Sequence, residues 1–147
     1  MANTSDASMI ATTTIRVRYK DTDCMGVVYY GNYLTYFEVG RVEYLRQSGM
    51  TIAQVNEKVF MPVAEATVKY HRPVRLDELL QVRCWVSERK RASFRFDYSI
   101  LTEAGHRVAT GYTVHAVLDP ATGRMVAIPP WMAALLPVVS GDADERV

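Results

Sequence analysis

Two carboxylates and two glycines stand close together near the start of the chain, with Asp21 and Asp23 followed by Gly26 and Gly31. An aspartate can attack a polarised carbonyl carbon, or it can take a proton from the water that attacks. Glycine lets the backbone turn tightly and come close to a ligand. These residue types suit chemistry at a carbonyl group, provided that a neighbouring element stabilises the negative charge developing on its oxygen.

A helix that begins directly after this segment would supply that stabilisation. Residues 33–47 contain no proline, Asn32 is a suitable N-cap and Gly49 is a suitable stop. Apolar side chains cover most of the circumference of this helix, which predicts that it is buried. The start of a helix presents unpaired backbone N–H groups with a partial positive charge, and an oxyanion is stabilised there.

The remaining elements are predicted to be mainly strands. Alternation of apolar and polar residues predicts a strand over 13–19, and apolar segments between polar breaks predict more strands after a helical turn at 51–57. Those strands cover 61–70, 79–87, 93–101 and 107–118, with 124–128 as a short addition before a brief helix over 129–136. One long buried helix with about five antiparallel strands is an α+β architecture.

The composition describes an ordinary globular domain. The chain has 147 residues, of which 49% are apolar and 22% are charged, and its formal net charge is +1. These values exclude wholesale disorder and give no support to a dedicated nucleic-acid binder. No apolar run approaches the roughly 20 residues of a membrane span. We predict one domain over 11–137, with a disordered N-terminus over 1–10 and a flexible tail over 138–147.

The cysteines and the first residues predict a cytoplasmic location. The first fourteen residues, MANTSDASMIATTT, lack a basic stretch followed by an apolar one, so no secretory signal is predicted. Neither Cys24 nor Cys84 belongs to a Cys-x-x-Cys motif, which argues against a zinc site or a thioredoxin-type site. Two free thiols are expected in the cytoplasm.

The segment from Asp21 to Gly31 admits other interpretations. Both of its aspartates could shape a turn through side-chain hydrogen bonds to the backbone. A calcium loop would need later ligands that the sequence lacks, and a carboxylate pair for glycoside cleavage needs a separation that a sequence does not define. Cys24 is expected to be passive. No catalytic role is expected for the three histidines, His71, His106 and His115. The same holds for Arg72, beside the first of them.

The run from Tyr19 to Gly49, YKDTDCMGVVYYGNYLTYFEVGRVEYLRQSG, resembles the signature of the 4-hydroxybenzoyl-CoA thioesterase family. It is similar above all to the branch of short acyl-CoA thioesterases linked to the Tol–Pal system. The shared elements are DTDxxGVVYxxNYxxYFExxR, then YHRPVRLDE, then a basic turn before Ala-Ser-Phe, and the match covers residues 13–130. These elements in this order are specific to the family.

The resemblance implies a hotdog fold, in which a curved antiparallel sheet wraps one long helix, and dimers or tetramers that pair their sheets. It implies hydrolysis of an acyl-CoA thioester with no metal and no other cofactor. The catalytic aspartate of the family falls on Asp23, and the backbone N–H that polarises the thioester carbonyl falls on Tyr30. Many members of the Tol–Pal-linked branch carry histidine at position 30, so the acyl group stays open between short aliphatic and aromatic.

Other polar residues near this segment have weaker signals. Asn32 is expected to cap the helix, and Glu38 and Arg41 stand three residues apart on it, where an ion pair is expected. Glu38 could instead reach the site, because some hotdog thioesterases use a glutamate on the helix. Asp23 would act by direct attack, giving a mixed anhydride, or by activating water, whereas Asp21 is predicted to shape the loop.

The substrate is expected to extend beyond this segment. The family places coenzyme A contacts in the turn that carries Arg89, Lys90 and Arg91, whose charges suit phosphate oxygens. Met61 and Val63 are expected to line the acyl pocket near the helix start.

Two other functions remain open. A hotdog dehydratase uses a histidine with a carboxylate, and no histidine lies in or beside the loop and helix segment of the sequence. A non-catalytic module that binds acyl groups or acyl carrier protein would not need Asp23.

Overall fold

The computed structural model describes residues 9–140. Its five strands form one antiparallel sheet in the order β1-β3-β4-β5-β2. The strands are β1 (Ala11–Arg16), β2 (Val63–Tyr70), β3 (Leu79–Arg89), β4 (Ser93–Thr102) and β5 (Arg107–Ala116). The helices are α1 (Asn32–Ser48), α2 (Ile52–Asn56) and α3 (Pro130–Ala133), and a short 3-10 turn spans Tyr19–Asp21. The predicted α+β architecture, one long helix against a five-stranded antiparallel sheet, is confirmed.

The core lies between α1 and the inner face of the central strands. Alternate residues of β4 are buried, as the period of two in a strand requires: Phe94, Phe96, Tyr98 and Ile100. From α1, Phe37 stacks on Tyr98 with ring centroids 4.2 Å apart, and Tyr44 meets Phe96 edge-on at 5.2 Å. Aromatic contacts of this kind add to the apolar burial that holds α1 on the sheet.

Two glycines bring α1 very close to the sheet. A Cβ atom on Gly40 of α1 would lie 2.8 Å from a methyl group of Val82. On the sheet side, a Cβ atom on Gly111 would lie 2.7 Å from the ring of Phe37 and 2.0 Å from the backbone oxygen of Thr67. No side chain fits at either position, so the absence of a Cβ fixes the spacing between helix and sheet.

The face of α1 that points away from the sheet is open. Leu34 is 41% exposed and Val39 is 38% exposed, with the polar Thr35 and Glu38 beside them. The sequence predicts burial nearly all round, whereas the single chain buries one side, because its sheet covers only that side.

The start of α1 differs from the prediction. Gly31, not Asn32, is the N-cap, and the helix begins at Asn32 itself. The amide of Asn32 donates instead to the backbone oxygen of Asp21 at 2.8 Å, so it joins the helix to the preceding loop. At the other end Gly49 stops the helix as predicted, with φ of +121° and its N–H donating to Leu45.

Two further segments differ at the C-terminal side. Residues 124–128 form no strand, because only Met125 pairs, in an isolated bridge to Leu118. Val138, in the segment predicted as a tail, pairs with Val86, and the neighbouring Val139 is buried against Trp85. The rest of that tail, 141–147, and positions 1–8 of the predicted disordered N-terminus lie outside the described residues.

The two edges of the sheet are treated differently. The β1 edge receives a hydrogen bond from α1, since the side-chain amide of Gln47 donates to the backbone oxygen of Thr12 at 3.3 Å. The β2 edge is bare within residues 9–140, and its end residues Val63 and Tyr70 are 46% and 51% exposed. Across the same described range, no helix is long and apolar enough to cross a membrane.

Candidate active site

The aspartate segment folds as a tight hairpin before α1. The N–H of Asp23 donates to the oxygen of Val27 at 2.9 Å, and the N–H of Gly26 donates back to the oxygen of Asp23 at 3.0 Å. Gly26 has φ of +80°, the left-handed conformation that closes a three-residue hairpin loop. One step further along, the N–H of Tyr29 donates to the oxygen of Asp21, so the hairpin sets the spacing between Asp23 and the helix start.

Asp23 has one committed carboxylate oxygen and one without a protein partner. Its Oδ1 accepts from the N–H of Met25 at 2.9 Å and from that of Val27 at 3.4 Å. Its Oδ2 accepts no hydrogen bond from residues 9–140, and the side chain is half-buried. The turn-shaping interpretation and the catalytic one are therefore compatible, since each uses a different oxygen.

Asp21 is more deeply placed than Asp23, at 7% exposed. Its Oδ2 accepts from the backbone N–H of Arg18 at 3.0 Å and from the hydroxyl of Tyr36 at 2.9 Å. Burial raises the pKa of the Tyr36 hydroxyl, and the hydrogen bond to Asp21 raises it further. Asp21 thus ties the base of the hairpin to α1, as expected of a residue that shapes the loop.

The start of α1 offers an unpaired donor. The N–H of Tyr30 donates to no acceptor within residues 9–140, whereas its oxygen accepts from Tyr33 and from the hydroxyl of Tyr70. A groove of about 270 Å³ opens beside it. The groove is lined by Val28, Tyr30, Tyr33, Tyr70, His71, Arg72 and Pro73.

Tyrosine rings form most of this groove. The ring of Tyr70 lies 5.3 Å from that of Tyr33 and 6.5 Å from that of Tyr30, both edge-on. Burial raises the pKa of Tyr33 to about 12, so its hydroxyl stays protonated at neutral pH. An aromatic wall beside a free backbone donor can bind a planar or apolar group next to a polarised carbonyl.

Sequence reasoning missed two members of this groove. His71 and Arg72 were expected to be structural residues without a catalytic role and were not placed near the site, and both line the groove. Nε2 of His71 is 2.9 Å from the hydroxyl of Thr110, so that ring nitrogen is already engaged. The signal was their position directly after Tyr70, at the end of a strand that lies beside the helix start.

The structure does not bring all the predicted site residues together. Asp23 does not line the groove beside Tyr30. Met61 lines a second groove, of about 400 Å³, which also contains Glu38 and Arg41 of α1. Val63 lies on the exposed edge strand, seven residues before Tyr70 and therefore roughly 23 Å away along β2.

Glu38 and Arg41 form no ion pair, although their spacing predicts one. The ion pairs within residues 9–140 involve other side chains. Glu38 is exposed and Arg41 is half-buried, and both side chains line the 400 Å³ groove. A spacing of three residues on α1 therefore does not by itself produce an ion pair here.

The basic turn after β3 divides into two parts. Nη1 of Arg89 donates to the backbone oxygens of Ala133 and Leu136, so this arginine holds the end of α3. Nζ of Lys90 lies 3.6 Å from a carboxylate oxygen of Glu88 on the surface. Arg91 is exposed, and its side chain has no ion pair or hydrogen bond with the described residues. Arg89 is thus committed to the fold, and Lys90 and Arg91 face solvent.

The two cysteines lie in different surroundings. Cys24 is exposed beside Asp23, and Cys84 is buried, where desolvation raises the pKa of its thiol. In the part of the chain that the structure describes, no three His, Cys, Asp or Glu side chains come together to hold a metal ion.

The family model that matches the chain is the Thioesterase-like superfamily, over residues 17–136. The chain belongs to this superfamily, and the predicted thioesterase family and hotdog fold are both confirmed.

Relatives and solved structures agree with this assignment. The acyl-CoA thioester hydrolase YbgC of Escherichia coli is 30% identical over 116 residues, which are 78% of this chain and 87% of the relative. The 1,4-dihydroxy-2-naphthoyl-CoA hydrolase of Thermosynechococcus vestitus is 29% identical over 132 residues, or 88% and 90% of the two chains. The DHNA-CoA thioesterase structure from Staphylococcus aureus superposes with a TM-score of 0.80 at 32% identity, covering 85% and 87%.

Proposed function

We propose that the chain hydrolyses acyl-CoA thioesters to a free acid and coenzyme A. The backbone N–H of Tyr30 binds the carbonyl oxygen, and the carboxylate of Asp23 attacks the carbonyl carbon or activates the attacking water. The observation that carries the proposal is the N–H of Tyr30, which donates to no acceptor within residues 9–140 and belongs to a residue that lines a groove just before a 17-residue helix. A donor held in place by the fold costs no reorganisation when charge develops on the oxygen.

The free oxygen of Asp23 supports its role. Because Oδ1 is fixed by the turn, Oδ2 has a defined position and no competing donor among residues 9–140. In direct attack, Oδ2 bonds to the carbonyl carbon, the thiolate of coenzyme A leaves, and water then cleaves the mixed anhydride. In the alternative, Oδ2 takes a proton from the water that attacks. Both routes place the carbonyl between the hairpin and the helix start.

A homodimer would complete the site. The bare β2 edge and the open face of α1 suit pairing with a second copy, either in a dimer or in a tetramer built from dimers. If two β2 strands pair antiparallel about their middle, Val63 of one copy lies opposite Tyr70 of the other. Met61, just before that strand, would then approach the groove beside Tyr30 of the partner subunit.

Dilution tests the dimer. Activity per chain is expected to fall at the concentration where sedimentation shows dissociation. Full activity of a monomeric chain would contradict a shared site.

The phosphates of coenzyme A are assigned to Lys90 and Arg91. Arg91 has no ion pair with the described residues, and Lys90 has only a surface ion pair with Glu88, whereas Arg89 holds α3. The double variant Lys90→Ala/Arg91→Ala is expected to raise KM for acyl-CoA with little change in kcat, because these contacts lie far from the carbonyl. Arg124→Ala, in an exposed turn, is the matched control. A fall in kcat alone would argue against the assignment.

A panel of acyl-CoA thioesters with thiol detection tests the reaction itself. Asp23→Asn is expected to lose at least about a hundredfold in turnover, since its amide is neither nucleophile nor base. Asp21→Asn is expected to keep turnover wherever it folds. Retained turnover in Asp23→Asn, with loss in folded Asp21→Asn, would reverse the two roles. Binding of acyl-CoA without thiol release by the unaltered chain would favour a non-catalytic module for acyl groups or acyl carrier protein.

A further inference from the structure

A side-chain hydrogen bond joins the end of β2 to the segment that leads into α1. The hydroxyl of Tyr70 donates to the backbone oxygen of Tyr30 at 3.1 Å, and its direction is defined because a carbonyl oxygen can only accept. Burial raises the pKa of the Tyr70 hydroxyl, so it keeps its proton at neutral pH. The bond therefore reaches, from a distant strand, the residue whose N–H is the proposed donor to the thioester carbonyl.

The direction of the Tyr30 N–H depends on the two peptide groups that flank its Cα atom. The first group contains this N–H, and its oxygen, that of Tyr29, accepts from the N–H of Asn32 at 2.9 Å. The second group carries the oxygen of Tyr30, which accepts from the N–H of Tyr33 at 3.4 Å, beyond the usual range of about 2.7–3.2 Å. The hydroxyl of Tyr70 thus supplies the shorter of the two hydrogen bonds that fix this second group.

The sheet and the helix both hold Tyr70 in place. Its backbone pairs with Ala109 of β5, and the next N–H, that of His71, donates to the oxygen of Val108 at 2.8 Å. Its ring lies edge-on to that of Tyr33, with centroids 5.3 Å apart, and Tyr33 is only 4% exposed. A side chain restrained by its backbone and by its ring loses little further freedom when its hydroxyl makes a hydrogen bond.

Resting on the proposed function, we infer that Tyr70 is a positioning residue whose hydroxyl fixes the peptide group after Tyr30 and so aims the N–H of Tyr30 at the thioester carbonyl. The hydroxyl acts on the reaction only through Tyr30. A donor that is slightly misplaced loses part of its stabilisation of the oxyanion, because that stabilisation depends on distance and direction. The loss falls on the step in which charge develops, and substrate binding is little affected.

Tyr70→Phe tests this role, because it removes the hydroxyl and keeps the ring that lines the groove. The loss of one neutral hydrogen bond is expected to lower kcat roughly three- to tenfold, with KM nearly unchanged. The same factor is expected for every acyl-CoA that the chain hydrolyses, since all of them present the same thioester carbonyl.

Tyr112→Phe is the matched control on the neighbouring strand. It also removes a tyrosine hydroxyl that makes an exposed hydrogen bond, in this case to a carboxylate oxygen of Glu65 at 2.6 Å. Its kcat is expected to equal that of the unaltered chain. An equal fall in both variants, or an unchanged kcat in Tyr70→Phe, would overturn the positioning role. A rise in KM confined to one class of acyl group would also overturn it, because the hydroxyl would then contact the acyl group directly.

The hydrogen bond can also be tested without a substrate. Carbon-13 NMR is expected to show the carbonyl resonance of Tyr30 at lower frequency in Tyr70→Phe, because its oxygen has lost a donor, and unmoved in Tyr112→Phe. An unmoved resonance in Tyr70→Phe would contradict the role of Tyr70 even in an active enzyme. Absence of thiol release by the unaltered chain would contradict the proposed function, whereas an unchanged kcat in Tyr70→Phe of an active chain would contradict only the role of Tyr70.

Discussion

Two buried polar clusters lie beside α1, and they differ in the charge at their centre. At the N-terminal end of the helix, the carboxylate of Asp21 accepts directly from Tyr36 and from the backbone of Arg18. On the sheet, hydrogen bonds join the hydroxyl of Tyr98 to Thr113 and Thr113 to His115, whose Nδ1 lies 2.9 Å from the backbone oxygen of Met61. The first cluster fixes an anion, and the second contains only groups that are neutral at pH 7.

The difference lies in the strength of the hydrogen bonds. Direct donors to a buried carboxylate are strong and hard to replace, so Asp21 anchors the hairpin on which Asp23 is presented. The second cluster consists of neutral hydrogen bonds, each of modest net value. Loss of the first cluster is therefore expected to lower the free energy of unfolding more than loss of one hydrogen bond in the second. Four changes test this contrast, from the largest expected effect to the smallest.

Asp21→Ala is expected to lower the free energy of unfolding by about 4 kcal/mol, because it leaves the Tyr36 hydroxyl and the Arg18 N–H without an acceptor. Asp23→Ala, two residues away, loses only turn hydrogen bonds near the surface and is expected to lose at most about 1 kcal/mol. Urea unfolding measures both. Should Asp21→Ala not fold, Asp21→Asn keeps one acceptor and gives an intermediate value. Equal losses at the two positions would remove the contrast.

His115 makes stability depend on pH. Its pKa is about 4 in the native state against 6.5 in the unfolded chain, so below pH 6.5 the unfolded state binds the proton and the native state does not. Stability is therefore complete above pH 6.5 and is lost as the pH falls towards 4, by about 3 kcal/mol in total. His115→Gln cannot titrate and is expected to give a flatter curve from urea unfolding between pH 7 and 4. Parallel curves would mean that His115 is not buried as a neutral ring.

Tyr36→Phe is expected to lower the free energy of unfolding by about 2 kcal/mol, since it removes one donor to the buried carboxylate of Asp21. Tyr44→Phe, again on α1, removes a hydroxyl without a hydrogen-bond partner in the described range and is expected to be near neutral. Thermal and urea unfolding of the two variants compare a hydroxyl that donates a hydrogen bond with one that has no partner in the described range. A similar loss in both variants would point to ring packing instead of the carboxylate.

Gly26→Ala is expected to cost about 1 kcal/mol, because its φ of +80° strains any L side chain. The added methyl group would also lie 3.3 Å from the guanidinium of Arg75. Gly105→Ala has φ of +91° and open space around it, so it isolates the backbone component of this effect. If the hairpin presents Asp23, Gly26→Ala also lowers kcat, while Gly105→Ala does not.

The sequence allowed prediction of the elements but not of every partner. The alternation of apolar and polar residues in 93–101 and the helix stop at Gly49 are local signals, and both agree with the structure. Asn32 was predicted as a helix cap because asparagine commonly is one. Its amide instead reaches Asp21, eleven residues earlier, and no local signal encodes that contact.

The candidate site likewise contains residues that the sequence predicts and residues that it does not. Spacing and resemblance single out Asp23 and Tyr30, because the hairpin and helix start are contiguous in the chain. His71 and Arg72 directly follow β2, whose end lies beside the start of α1, and this position brings them to the groove. The order of residues along the chain gives no direct sign that β2 ends there. The buried hydrogen bonds of Tyr98, Thr113 and His115 were not predicted, since these residues lie on two strands and face the core at positions that usually hold apolar residues.

The contact of Gly40 with Val82, and of Gly111 with Phe37, bears on how substrate range can change. A helix seated this tightly cannot slide or tilt to make room for a larger acyl group. Directed evolution that randomises the inward positions of α1 should mostly yield unfolded protein. Libraries that vary residues 52–62, at the rim of the larger groove, should alter acyl preference while the helix and sheet stay unchanged.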